Sequence, residues 1–224
     1  MPPSTRELRF AVNPAVEVSA LLLLPPNAES LFVLAHGAGA GMRHPFLETL
    51  AQELAAVRVA TLRYQFPYME QRRKAPDPPS LLMATVRAAV GLASEQAPNL
   101  PLLAGGKSMG GRMTSRAAAE QPLEHVRGLA FVGFPLHPPG RPGTERADHL
   151  AHVGVPMLFL QGTRDQFAQL DLLRPVCAKL GPRATLHVID TADHSFRVLK
   201  SSGRTAAEVM QELAQTIASW VKLI

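Results

Sequence analysis

The sequence is poor in cysteine and in long apolar runs. Its 224 residues include a single cysteine, Cys177, so no disulfide framework can form, and this absence points to the cytoplasm. The apolar run Val18–Leu24 is short and ends at two prolines. A run of this length predicts neither a signal peptide nor a membrane span.

Aromatic residues are also scarce, at 5% of the chain. The formal net charge is +5, and a basic protein gains affinity for phosphates by releasing counterions. The basic residues are nevertheless spread along the chain, apart from Arg72-Arg73-Lys74, and no aromatic residue is interleaved among these three. We therefore predict a solvated basic surface and no nucleic-acid partner.

Short apolar runs alternate with segments of helical periodicity along the chain. This alternation predicts an α/β fold with a mostly parallel sheet, helices on both faces and ligands at the carboxyl ends of the strands. The length predicts one domain, residues 1–224, and the irregular segment Gly133–Val155 is too short for a large lid. The predicted strands are Arg9–Val12, Val16–Leu24, Leu31–Ala35, Val57–Leu62, Leu100–Ala104, Val126–Val132, Met157–Leu160 and Thr185–Ile189, and the predicted helices are Pro45–Ala56, Pro79–Ala97, Met109–Glu120, Leu170–Leu180 and Thr205–Val221.

The segment Gly105–Gly111 contains the pattern Gly-x-Ser-x-Gly between a predicted strand and a predicted helix. This pattern is typical of a tight turn that exposes a nucleophilic serine, here Ser108, above the sheet edge. Gly106-Lys107-Ser108 also fits part of a phosphate-binding loop. Such a loop needs a glycine five residues before Gly106, where this chain has Pro101. The sequence therefore favours a nucleophile over a nucleotide site.

A nucleophilic serine needs a base, and the base needs an acid that fixes its tautomer. Among the eight histidines, His194 is favoured because it follows the last predicted strand in a loop. Asp165, directly after the preceding strand, is the favoured acid and gives the chain order Ser, Asp, His. Asp148 is the reserve, while Asp193 and Asp190 lie too close to His194 in sequence to face its ring.

The developing oxyanion needs two backbone donors. We predict the amide of Met109, at the amino end of a helix, and that of Ala38 in the glycine-rich loop after Leu31–Ala35, with Gly39 as the alternative. His36 is interpreted as a structural residue of this loop. The predicted pocket residues, chosen because they lie in loops near the sheet edge, are Gly39, Phe66, Tyr68, Phe134 and Phe196. Lys107, which precedes the serine, is assigned no chemical role.

Several motifs in this order resemble those of α/β-hydrolase serine hydrolases over essentially the full chain. The narrower resemblance is to the small, lidless, dienelactone-hydrolase-related group of predicted bacterial hydrolases. Its motifs are His36-Gly37-Ala38-Gly39-Ala40-Gly41, Phe66-Pro67-Tyr68-Met69-Glu70, Gly106-Lys107-Ser108-Met109-Gly110-Gly111, Pro135-Leu136-His137-Pro138-Pro139-Gly140, Gln161-Gly162-Thr163-Arg164-Asp165 and Asp193-His194-Ser195-Phe196. Dienelactone hydrolases themselves use a cysteine nucleophile where this chain has Ser108.

The resemblance implies a hydrolase that cleaves small or soluble esters through an acyl-enzyme, without a cofactor or metal. The expected partner is a small-molecule ester, with no nucleic acid or membrane involved, and the sequence is silent on oligomeric state. The alternative is a noncatalytic binding or scaffold protein that keeps the fold. The presence of Ser108, Asp165 and His194 in order favours the enzyme.

Overall fold

A computed structural model describes residues 5–224 and shows one eight-stranded sheet. The strand order is β1-β2-β4-β3-β5-β6-β7-β8; β1 and β2 pair antiparallel to their neighbours, and the other strands run parallel. This arrangement confirms the predicted fold class. The strands are β1 Thr5–Asn13, β2 Val16–Leu23, β3 Ser30–Ala35, β4 Val59–Tyr64, β5 Leu102–Lys107, β6 Val126–Val132, β7 Met157–Gly162 and β8 Ala184–Ile189.

Six α-helices accompany the sheet in residues 5–224. They are α1 Pro45–Ala56, α2 Pro67–Glu70, α3 Pro79–Gln96, α4 Met109–Glu120, α5 Leu170–Leu180 and α6 Ala206–Val221. The bounds of α1, α4 and α5 agree with the prediction, whereas the single-turn α2 was not predicted. The irregular segment before β7 contains the 3₁₀ helix Glu145–His152, which packs against α4. This segment contains no lid-sized insertion.

The helices cover both faces of the sheet, so its central strands are buried on both sides. In β3, Leu31 and Val33 pack with the layer formed by α3, α4 and α5, while Phe32 and Leu34 pack with the layer formed by α1 and α6. Successive side chains of a strand point to opposite faces, which explains why this strand is a continuous apolar run. Within residues 5–224, no helix combines the length and apolar composition needed to cross a membrane.

The carboxyl ends of β3, β5, β7 and β8 meet at one edge of the sheet because these strands are parallel. The loops after β5, β7 and β8 carry Ser108, Asp165 and His194, respectively. The fold therefore brings to one place three side chains that are far apart in the sequence.

Candidate active site

Ser108 lies in a strained turn between β5 and α4. Its φ is 51° and its ψ is −117°, a conformation that costs a non-glycine residue free energy of order 1–3 kcal/mol. The turn presses the start of α4 against the end of β3, so a Cβ atom on Gly110 would lie 2.6 Å from the carbonyl oxygen of His36. A Cβ atom on Gly106 would also collide with Ala35. These contacts explain why the turn contains glycine on both sides of the serine.

The structure brings Ser108, His194 and Asp165 into one chain of hydrogen bonds. His194 Nε2 lies 2.9 Å from Ser108 Oγ, and His194 Nδ1 lies 2.7 Å from Asp165 Oδ2. A carboxylate only accepts hydrogen bonds, so Nδ1 of the neutral ring carries the proton and donates a hydrogen bond to Asp165. Nε2 is then free to accept the proton of the Ser108 hydroxyl.

Asp165 is itself held in place by its surroundings. Its Oδ1 accepts a hydrogen bond of 2.8 Å from the Phe167 amide, and its Oδ2 also accepts one from Gln161 Nε2. The Phe167 ring lies against the imidazole of His194, with 4.3 Å between the ring centroids. The loop after β7 therefore fixes both the acid and one face of the histidine.

The other aspartates considered from the sequence lie elsewhere. Asp193 Oδ1 accepts the amides of Ser195 and Arg197 and so stabilises the turn around His194. Asp190 accepts a hydrogen bond from Thr163, and Asp148 is exposed on the 3₁₀ helix. None of the three contacts the His194 ring through a hydrogen bond in residues 5–224.

The two predicted oxyanion donors are backbone amides with no acceptor among residues 5–224. Met109 is the first residue of α4, where the helix supplies no acceptor for its amide. Ala38 lines the cavity beside Ser108, whereas the amide of Gly39, the alternative donor, already donates to Tyr68 Oη at 3.0 Å. Among the described residues, the Gly39 amide is therefore occupied and the Ala38 amide is not, and Ala38 stays the predicted donor.

His36 has both ring nitrogens in use. Nδ1 donates to the Gly37 carbonyl oxygen at 2.7 Å, and Nε2 accepts the Phe66 amide at 3.1 Å. Burial lowers the pKa of His36 to about 4, so its ring is neutral near pH 7. This bonding agrees with the structural role predicted for His36.

A cavity of about 620 Å³ opens beside Ser108 and His194. The wall includes apolar side chains from the start of α1 and from the acid loop, and a cationic side chain, Arg197. Its lining residues are Gly37, Ala38, Ala40, His44, Pro45, Phe46, Leu47, Lys107, Ser108, Phe167, His194, Ser195 and Arg197. No Asp or Glu is among them.

The residues predicted to form the pocket lie outside this lining. Phe66, Tyr68 and Phe134 are fully buried, and Phe196 is buried behind Phe46, with which it stacks at a centroid distance of 5.9 Å. Gly39 belongs to the loop that lines the cavity, but its neighbours and not Gly39 itself form the wall. The prediction overlooked Phe46 and Phe167, which line the cavity. Phe167 could have been found from the sequence because it lies two residues after Asp165.

A second serine and histidine also meet in this structure. Ser115 Oγ lies 2.7 Å from His149 Nε2, between α4 and the 3₁₀ helix. Burial, followed by the charges of Arg116 and Arg112, lowers the pKa of His149 to about 4, which makes its ring a weak base. Ser115 is buried and lines none of the cavity described above.

Among residues 5–224, no group of three or more His, Cys, Asp or Glu side chains is arranged to hold a metal ion.

Comparison with known proteins agrees with this architecture. A family model described as "Alpha/beta hydrolase domain" matches residues 28–222. Similar solved structures include dienelactone hydrolase from Anabaena variabilis, with 21% identity, a TM-score of 0.78, and coverage of 98% of this chain and 97% of that one. A serine hydrolase without a lid from Xanthomonas campestris has 20% identity, a TM-score of 0.71 and 96% coverage of each chain.

The esterase domain of a Rhodothermus marinus protein has 17% identity, a TM-score of 0.73 and 97% coverage of each chain. At these identities the structural likeness shows the fold alone. The family model, by contrast, spans most of the sequence and includes the positions of Ser108, Asp165 and His194. The chain belongs to the α/β-hydrolase family.

Proposed function

We propose that this protein is a serine hydrolase that cleaves carboxylic esters through an acyl-enzyme on Ser108. The observation that carries the proposal is the continuous chain of hydrogen bonds from Ser108 through His194 to Asp165, at the wall of a cavity. A nucleophile, a base and an orienting acid in this geometry are the requirements of acyl transfer.

The mechanism assigns one task to each group. His194 Nε2 takes the Ser108 proton while Oγ attacks the ester carbonyl, and Asp165 stabilises the imidazolium that forms. The amides of Met109 and Ala38 donate to the oxyanion. His194 then protonates the leaving alcohol, and a water molecule activated by the same ring releases the acid from Ser108.

The cavity wall favours small or water-soluble esters. Apolar contacts from Phe46, Leu47 and Phe167 suit an acyl or alcohol group of modest size, and no lid-sized insertion in residues 5–224 covers the cavity to shelter a long lipid chain. We further propose that residues 1–224 act as one domain in the cytoplasm, with a small molecule as partner.

Labelling with a fluorophosphonate probe, read by intact mass, tests the proposal. The wild-type protein is expected to gain one probe adduct, and Ser108→Ala is expected to gain none. Ser115→Ala is the matched control because Ser115 also forms a hydrogen bond with a histidine. This variant should still gain the probe adduct on Ser108. A folded wild-type protein that neither reacts with the probe nor hydrolyses short p-nitrophenyl esters would instead support a noncatalytic binding role.

A further inference from the structure

Lys107, the residue before the nucleophile, ends in a charged group without a partner. Its Nζ atom is buried and forms no hydrogen bond with any residue in the described range 5–224. The nearest groups include two aromatic rings: Nζ lies 5.9 Å from the centroid of Phe46 and 5.6 Å from that of Phe196. Burying an ammonium without a hydrogen-bond acceptor is costly, and cation–π contacts offset only part of that cost. A surface lysine would avoid this cost.

The buried ammonium lies close to the imidazole of His194. Gly133, the residue after β6, lies beside both groups: a Cβ atom on Gly133 would lie 3.0 Å from Lys107 Nζ and 3.5 Å from both Nδ1 and Cε1 of His194. The space that a side chain would fill at Gly133 is therefore shared by the ammonium and the imidazole.

Several other charged groups face this pair. The carboxylates of Asp165, on the loop after β7, and Asp193, on the loop after β8, attract the Lys107 ammonium. Burial nevertheless dominates and lowers the pKa of Lys107 to about 8, so the group is mostly protonated at neutral pH. The exposed side chains of Arg197 and His44 lie in the cavity wall.

We propose that Lys107 is a positioning residue whose buried ammonium, held between Phe46, Phe196 and Gly133, keeps His194 in the neutral form that accepts the Ser108 proton. This inference rests on the proposed function of Ser108 and His194. It replaces the expectation that Lys107 has no chemical role.

The sign of the effect follows from the arrangement of charges. Asp165 accepts a hydrogen bond from Nδ1–H, and its negative charge favours a second proton on the ring. A doubly protonated ring cannot act as a base. The Lys107 charge opposes that second proton both directly and by partly neutralising Asp165, so the base stays available at a lower pH than it would without the lysine.

Two independent readouts test this role. The first is the midpoint of an NMR titration of the His194 ring proton, assigned by its loss in His194→Gln. The second is the midpoint of the acid limb of the kcat/KM profile for p-nitrophenyl acetate. In Lys107→Met both midpoints are expected to move up by about two pH units, the size expected for one charge within about 6 Å of the ring at an effective dielectric constant of about 20.

Two further lysine variants separate charge from packing. Lys107→Arg keeps the positive charge and is expected to keep the wild-type midpoint, and Lys179→Met, an exposed site on α5, is the matched control. Unchanged midpoints in a folded Lys107→Met, or an equal shift in Lys107→Arg, would overturn the proposal. Lys107→Gln carries the same expectation as Lys107→Met if the latter does not fold.

The two readouts also distinguish this inference from the proposed function. If the wild-type protein cleaves no ester and does not react with the fluorophosphonate probe, the proposed function fails. The NMR midpoints of the wild type and Lys107→Met then still decide whether Lys107 controls the protonation of His194.

Discussion

Replacing Asp165 by asparagine removes one charge and reverses one hydrogen bond. In the native structure Asp165 Oδ1 accepts from the Phe167 amide, and Oδ2 accepts from both His194 Nδ1 and Gln161 Nε2. An asparagine must keep its oxygen towards the Phe167 amide, which turns its NH₂ group towards His194 and Gln161. His194 Nδ1 then has to accept, so the ring proton moves to Nε2 and faces Ser108.

A ring protonated at Nε2 cannot take the Ser108 proton. We expect kcat/KM to fall by about 10³–10⁴, equivalent to about 4–5 kcal/mol of lost transition-state stabilisation. The NH₂ groups of the introduced asparagine and of Gln161 would also meet as two donors. Gln161 cannot turn without losing the bond that its Oε1 accepts from the Phe134 amide at 3.0 Å. This conflict should lower the free energy of unfolding by about 1–3 kcal/mol.

The assay is the initial rate of p-nitrophenyl acetate hydrolysis, with urea unfolding in parallel. Asp190→Asn is the matched control because Asp190 is exposed just after β8, and its side chain forms one hydrogen bond, to Thr163, within residues 5–224. The turnover of Asp190→Asn and its free energy of unfolding should remain close to those of the wild type. A folded Asp165→Asn protein with less than about a tenfold loss in kcat/KM would refute the assignment of the orienting acid.

Three other substitutions, two of them paired with a control variant, are tested by urea unfolding. Ser108→Gly should abolish turnover yet raise the free energy of unfolding by about 1 kcal/mol, because glycine adopts the positive φ without strain. Gly110→Ala should lower the free energy of unfolding by about 3 kcal/mol because the added Cβ atom collides with the His36 carbonyl oxygen. Its control, Gly91→Ala, lies in open space on α3 and should raise the free energy of unfolding by about 0.5–1 kcal/mol. Burial lowers the pKa of His36 to about 4 in the folded protein. The contribution of neutral His36 to the free energy of unfolding is therefore fully present above pH 6.5 and declines by up to about 3 kcal/mol as the pH falls towards 4. His36→Gln should lose this pH dependence, and the control His125→Gln, at an exposed site, should keep it.

Local patterns in the sequence predict most of this fold because its strands and helices have strong boundary signals. Pro45 opens α1 as its first residue, and the predicted end at Ala56 agrees with the structure. The strands β4 and β5 end later than predicted. Arg63 is charged, yet it is buried at the end of β4, where its guanidinium donates to the Met42 carbonyl oxygen at 3.3 Å. Gly105 and Gly106 indicate a turn in the sequence, but both belong to β5. Glycine is needed there because the neighbouring strands leave no room for a side chain.

The site was only partly predictable for a different reason. Ser108, Asp165 and His194 each follow an apolar strand, and parallel strands place such positions at one edge, so a local pattern carries long-range information. The cavity wall has no such pattern. Whether Phe46 or Phe66 reaches the cavity depends on how α1 and the loop after β4 pack on the sheet, and this is decided by contacts between residues that are distant in sequence.

The position of β8 has a consequence for how this protein loses activity. β8 is one of the two edge strands, pairs with β7 alone among the described residues, and has Ile189 as its one fully buried side chain. Edge segments with few buried contacts open at a lower free energy than the whole domain, as hydrogen exchange measures. The loop that carries His194 follows this strand, whereas Ser108 follows the central β5. Heating is therefore expected to fray the edge and disconnect the base first, so that turnover disappears reversibly at temperatures where the far-UV circular dichroism is still native.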